Sequence, residues 1–203
     1  MASVYDLKPK FQAILRPIAQ ALFKTGVTPN QVTIAALFGS FVVGALAVQT
    51  VANRSWLLLF PFWLFLRMAL NAIDGMLARE HNLKSFSGAI LNEVGDILSD
   101  AALFLPLALV RADAACAIVL FTLGAVLSEF CGVLGQALGT KRHYEGPMGK
   151  SDRALLVGTL ALVSFLYPSM MNIWTGIFWA GFGLTIMTCY NRIDHILKEL
   201  KHG

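Results

Sequence analysis

The sequence predicts an all-α fold: an integral membrane bundle of about six transmembrane helices preceded by one amphipathic interfacial helix. Three observations carry that reading. Of the 203 residues, 57% are hydrophobic and only 14% are charged, and the mean hydropathy is +0.66. Apolar runs long enough to cross a bilayer, about 20 residues each, recur along the chain. Lys and Arg gather on alternate connections between those runs, the bias expected of cytoplasmic loops. A soluble domain of this length has to cover itself with charge, so lipid is the main solvent. The net charge of +4 then reflects membrane sidedness, and no nucleic-acid partner is expected.

The elements follow in order. Over residues 5–25, Phe11, Ile14, Leu15, Ile18, Leu22 and Phe23 recur at helical spacing, with Lys8, Lys10, Gln12, Arg16 and Lys24 between them. This reads as an interfacial helix, with a core-facing cap on the bundle as the alternative. The opening residues lack the pattern of a cleaved secretory signal, so the mature chain is expected to start near Met1. Thr28-Pro29-Asn30 then opens the first span. Candidate spans are roughly 31–52, 55–79, 87–111, 114–139, 154–169 and 172–191, by the length rule. Without repeats or linkers, residues 1–203 read as one domain: interfacial helix 5–25, bundle 29–192 and a cytoplasmic tail 193–203.

With six spans, every Lys and Arg except Arg54, Arg111 and the intraspan Arg67 falls on one side. That places both termini and the loops 80–86 and 140–153 in the cytoplasm. Cys116, Cys131 and Cys189 lie in apolar runs and read as small core hydrophobes. Gly124, Gly132, Gly135 and Gly139 read as close-packing positions. The run Gly146-Pro147-Met148-Gly149-Lys150-Ser151 lacks the frame of a phosphate-binding loop. The four histidines read as solvated, and Glu129 either as a protonated structural residue or as a pocket residue.

Carboxylates inside a span are costly and default to functional candidates. Here they cluster. At about 100° per residue, Arg67, Asn71, Asp74 and Ala78 share one face of the second span. Asn92, Glu93, Asp96 and Asp100 share a face of the third. The two helices run antiparallel about a loop centred near position 83, with Asp74 and Asn92 each nine residues from it. Asn71 and Asp96 lie twelve and thirteen residues away, so these four groups should face one another just inside the cytoplasmic surface. Arg67 and Asp100, level with each other and deeper, should pair, with direct metal binding by Asp100 as the alternative. Converging oxygen donors of this kind suit a hard divalent cation, Mg²⁺ or Mn²⁺.

The run Asn71-x2-Asp74-Gly75-x2-Ala78-Arg79-x8-Gly88-x3-Asn92-x3-Asp96 resembles the signature of the CDP-alcohol phosphotransferases, D-x2-D-G-x2-A-R-x(7–8)-G-x3-D-x3-D. It departs from that signature at Asn71 and Asn92, which stand where aspartates are expected. Pro29-Asn30-x2-Thr33 at the first span and the juxtamembrane helix also look like the family. The resemblance implies metal binding by Asp74 and Asp96, with Asn71 and Asn92 as neutral donors at the same centre. It implies Asp96 as general base, and Asp74, Gly75, Ala78, Arg79 and Gly88 as the CDP-binding set. A CDP-activated lipid such as CDP-diacylglycerol is the implied donor, an alcohol is the acceptor, and CMP is released in phospholipid biosynthesis.

The resemblance further implies an inner (plasma) membrane location with the active site facing the cytoplasm, and a homodimer. Lys150 and Arg153, at the cytoplasmic start of the fifth span, are expected to hold a phosphate on the acceptor. A catalytically silent protein that keeps the fold for binding or assembly is the alternative.

Overall fold

The structure, a computed structural model, describes the backbone of residues 4–202 and the side chains of residues 9–201. Every regular element among them is helical. In chain order these are α1 (Val4–Lys24), α2 (Pro29–Ala47), α3 (Leu59–Glu80), α4 (Phe86–Phe104), α5 (Leu107–Val110), α6 (Ala115–Ala137), α7 (Lys150–Leu166) and α8 (Trp174–His202), with short 3₁₀ turns between several of them.

Four stretches are long and apolar enough to cross a membrane: Pro29–Val51, Arg54–Glu80, Ala112–Ala137 and Pro168–Lys201. The six-span expectation meets two helices that do not qualify alone. α4 has 19 residues and carries Glu93, Asp96 and Asp100, and α7 has only 17 residues. Both carry ionisable groups that face the bundle interior: Asp96 and Asp100 of α4 and Arg153 of α7 are buried.

Boundaries move for identifiable reasons. The third predicted span breaks because Pro106 has no N–H to continue the ladder, leaving α4 and the one-turn α5. α7 begins four residues early, where the Gly149 amide donates to Asp152 Oδ2 at 2.9 Å. The predicted tail is instead a continuation of α8 to His202, with Ile196 buried.

Local chemistry sets the other starts. Thr28 Oγ1 accepts from the Gln31 amide at 3.3 Å and Gln31 Oε1 accepts from the Thr28 amide at 2.9 Å, a reciprocal cap with Pro29 at the first helical position. Ser85 Oγ accepts the Gly88 amide at 3.0 Å and starts α4.

α2 packs against both α3 and α4, α3 against α7, and α6 against α8. A Cβ added at Gly44 would lie 1.9 Å from the Ala102 carbonyl oxygen, so α2 and α4 touch backbone to backbone there. The main core runs from Val43 and Phe60 through Phe104 and Phe121 to Trp174 and Phe178. Outward-facing Phe38, Phe62, Phe65 and Leu155 are 66–71% exposed, as suits side chains in contact with lipid tails. α1 does both things weighed for it. Leu15 and Ala19 are buried against Val32, Ile73 and Leu77, while Ile14 and Ile18 face outward. Arg16 ties α1 to Glu80 of α3 at 3.1 Å.

Candidate active site

α2 holds α3 and α4 apart at the backbone, and the two meet through polar side chains. Asn71 Nδ2 donates to Asp96 Oδ1 at 3.2 Å. One turn deeper, Arg67 Nη1 donates to Asp100 Oδ1 at 2.5 Å, and its Nη2 to the Asp96 carbonyl at 3.1 Å. Equal residue counts from the α3–α4 turn therefore do bring these pairs to equal depth. Asp74 sits one turn nearer the loop, buried, with Thr33 Oγ1 of α2 donating to its Oδ2 at 2.9 Å. Asn92 is half-buried one turn before Asp96.

The remaining residues of the signature line the same end of the bundle. Ala78 is half-buried and Arg79 exposed. A Cβ at Gly75 would come within 3.1 Å of Arg79 Nη2, so the glycine gives the guanidinium room to lie over the helix. A Cβ at Gly88 would come within 2.7 Å of Asn30 Oδ1, so a side chain there would press on the start of α2.

Lys150 and Arg153 arrive from α7. The Lys150 ammonium lies 2.5 Å from Asp96 Oδ2, and its side chain is 24% exposed. Arg153 is buried and fully used: Nε donates to Asp100 at 2.9 Å, Nη2 to Glu129 at 2.8 Å, and Nη1 to the Ser128 hydroxyl and the Met148 carbonyl. The expectation of direct acceptor contact therefore meets a side chain whose donors all point into the protein. Its position suits holding Asp100 and Glu129 in place.

Glu129 is neither isolated nor open to a pocket. Arg142 reaches its Oε2 at 2.8 Å, Arg153 its Oε1 at 2.8 Å, and Arg192 lies 3.7 Å away. Arg142 also pairs with Glu93, and Arg192 donates to the Ser128 carbonyl. Burial pushes the Arg142 pKa below its ordinary value against an opposing pull from Tyr144, and the Arg192 charge adds to the push. The expectation of a protonated glutamate gives way to an ion-pair hub.

Arg142 and Arg192 escaped the sequence reading because each looked like an ordinary cytoplasmic cation. The return of the 138–149 loop over α6 brings Arg142 to Glu129, and the packing of α8 against α6 brings Arg192. Two of the histidines also differ from the solvated reading: His143, in that loop, is fully buried, with Nδ1 3.2 Å from Glu145 Oε2, and the His81 ring, at the end of α3, stacks on Phe23.

Fold and site together define a membrane protein with an ionisable centre inside its helical bundle, the kind of feature that marks a functional site by default. The chain belongs to the CDP-alcohol phosphatidyltransferase family, which it matches over residues 26–187. It is 43% identical over 196 residues to inner membrane protein YnbA of Escherichia coli K12, covering 96% of each chain. It is 26% identical over 204 residues to the phosphatidylinositol phosphate synthase of Streptomyces avermitilis, covering 93% of this chain and 80% of that one.

Among solved structures, the phosphatidylinositol phosphate synthase of Mycobacterium tuberculosis with CDP-DAG bound superposes with a TM-score of 0.74 at 23% identity, over 91% of this chain and 94% of that one. The same enzyme in complex with manganese and citrate gives 0.75 at 23% identity, over 90% and 88%. At that identity the likeness shows a shared fold.

The donors present suit a hard divalent cation at one place. Among the described residues, Asp74 is the carboxylate of this cluster whose partner is a neutral hydroxyl, while Asp96, Asp100, Glu93 and Glu129 are each paired with cations. One carboxylate, with carboxamide oxygens of Asn71 and Asn92 as neutral donors, matches the few protein ligands that Mg²⁺ takes when substrate phosphates complete its shell.

Proposed function

We propose that this protein transfers a phosphatidyl group from CDP-diacylglycerol to an alcohol and releases CMP, at the cytoplasmic face of a six-span bundle in the inner membrane. The observation that carries the reading is the meeting of Asn71 and Asp96 at 3.2 Å, beside Asp74, within the run from Asn71 to Asp96 that follows the family signature except at Asn71 and Asn92.

Asp96 is the general base. It takes the proton of the attacking hydroxyl, the alcohol oxygen forms a bond to the β-phosphorus, and CMP departs with the electron pair of the broken P–O bond. Gly75, Ala78, Arg79 and Gly88, at the open end of α3 and α4, hold the CDP portion with Asp74. Arg79, exposed and unburdened by helix packing, supplies charge to the diphosphate. A bound Mg²⁺ or Mn²⁺, held by Asp74 with the Asn71 and Asn92 carbonyls, would neutralise charge on the diphosphate and the leaving CMP.

Lys150 is the residue of α7 whose charged end reaches the cleft, so it is the one placed to meet a phosphate on the acceptor, with Arg153 behind it as a positioning residue. The outward apolar faces leave acyl chains in lipid while the nucleotide enters from water. The relatives support the reading: YnbA is named as an inner membrane protein, and a fold neighbour has been solved with CDP-DAG bound. Release of CMP from CDP-diacylglycerol by purified protein, dependent on Mg²⁺ and on an alcohol, is the experiment that tests it.

A further inference from the structure

We propose that the Lys150 ammonium takes the place of one of the two divalent cations that the resemblance to the four-aspartate family signature implies, so that the chain binds one metal ion, at Asp74, and meets the remaining phosphate charge with its own side chains. The inference rests on the proposed phosphatidyl transfer and concerns how that centre is charged.

Asp96 is the first observation. Lys150 Nζ stands 2.5 Å from its Oδ2, while Asn71 Nδ2 at 3.2 Å and Arg67 Nη2 at 3.5 Å face its Oδ1. Both oxygens are thus engaged by donors, two of them cationic. A metal ion can use this carboxylate fully only by displacing an ammonium already in contact with it.

The second observation is the wider charge balance. Lys150–Asp96–Arg67–Asp100–Arg153–Glu129 form one unbroken chain of ion pairs, and Glu129 extends it to Arg192 and through Arg142 to Glu93. Four carboxylates are joined there to five cations. Asp74, outside the chain, restores neutrality. Two divalent ions would be set into a centre with no net negative charge to receive them, in a partly buried setting where like charges repel far more strongly than in water.

The third observation is the pair of neutral residues. Asn71 and Asn92 stand at signature positions where the pattern has aspartates, and a carboxamide gives a metal an oxygen without charge. An ammonium on Asp96 and two missing carboxylates are complementary changes. A point charge with three rotatable donors can also contact phosphate oxygens as a metal does, without needing a ligand cage.

The test is Mn²⁺ binding to the full chain in lipid nanodiscs without substrate, counted by electron paramagnetic resonance. Wild type should take up one Mn²⁺ per chain, with no second ion below millimolar concentration. The triple variant Asn71→Asp, Asn92→Asp, Lys150→Gln should take up two. Lys150→Gln alone should bind its ion at least about tenfold more tightly, since a neighbouring positive charge is gone, and Lys150→Arg should behave as wild type. Two ions in wild type, or none, overturns the proposal, as does Mn²⁺ binding unchanged by Lys150→Gln. The wild-type count stands even if a variant fails to fold. CMP release is measured separately: one ion without CMP release removes the proposed function and keeps this inference, whereas CMP release with two ions does the reverse.

Discussion

Asp100 should matter more to stability than Arg67, although the two are paired. Asp100 accepts from Arg67 at 2.5 Å and from Arg153 at 2.9 Å, and all three side chains are at most 4% exposed. Asp100→Asn therefore strips the charge partner from two buried guanidiniums at once. Removing one member of a buried ion pair costs roughly 3–5 kcal/mol. Arg67 retains the Asp96 carbonyl at 3.1 Å and a longer 3.5 Å approach to its carboxylate, whereas Arg153 retains Glu129, so the loss should fall within that range. Arg67→Met leaves Asp100 still held by Arg153, and should cost about 1–3 kcal/mol, the scale of a buried polar group losing a hydrogen bond.

Because Arg67 has then already gone, the double variant should cost less than the two singles together, with a coupling of about 1–3 kcal/mol. It should not return to wild type, since Arg153 is left with one charge partner, Glu129, where it had two. A double-mutant cycle by reversible unfolding in mixed sodium dodecyl sulfate and dodecylmaltoside micelles measures all four states. Equal costs for the two single variants, or additivity within about 0.5 kcal/mol, would refute the reasoning.

Other expectations follow from the same geometry. If the neutral carboxamides weaken metal binding, Asn71→Asp or Asn92→Asp should lower the Mg²⁺ concentration for half-maximal CMP release; a higher requirement in both would mean that the centre is built around neutral donors. Gly44→Ala, whose Cβ would lie 1.9 Å from the Ala102 carbonyl oxygen, should destabilise by about 1–3 kcal/mol or more, while Gly95→Ala, with its nearest contact at 3.6 Å, should unfold at nearly the wild-type temperature in detergent. In a chain whose native cysteines are replaced, Leu83→Cys and Tyr144→Cys should resist an impermeant thiol reagent added to intact cells, and Asn53→Cys should react. Labelling at position 83 or 144 would invert the proposed topology.

Much of the bundle was legible because its signals are local. Apolar runs gave the helices, and residue counts about the α3–α4 turn gave the Asn71–Asp96 and Arg67–Asp100 meetings, since two antiparallel helices keep equal depth at equal distance from their turn. Pro106 carried a readable break that the apolar composition around it obscured. The span count was harder: α4 carries Glu93, Asp96 and Asp100, so by length and composition it does not qualify as a membrane span.

Long-range electrostatics was not legible. Lys150 lies 54 residues from Asp96, and Arg192 lies 64 residues from the Ser128 carbonyl that it contacts. Arg192 looked like a positive-inside residue and Lys150 like an acceptor contact, because nothing in helical periodicity says which cations fold back to meet buried carboxylates. Glu129 was singled out by its cost inside a span, but its three arginines come from the 138–149 loop, α7 and α8, and only their packing assembles the hub.

The most direct measurement is product formation by the purified protein in lipid vesicles containing CDP-diacylglycerol, with Mg²⁺ and a panel of phosphorylated and unphosphorylated alcohols, read by mass spectrometry. Wild type should release CMP and an equal amount of one new phospholipid, and Asp96→Asn, folded to the same unfolding temperature, should be slower by about 10²-fold or more. No CMP from folded wild type with any alcohol, or equal rates from the Asp96→Asn variant, would contradict phosphatidyl transfer at this centre.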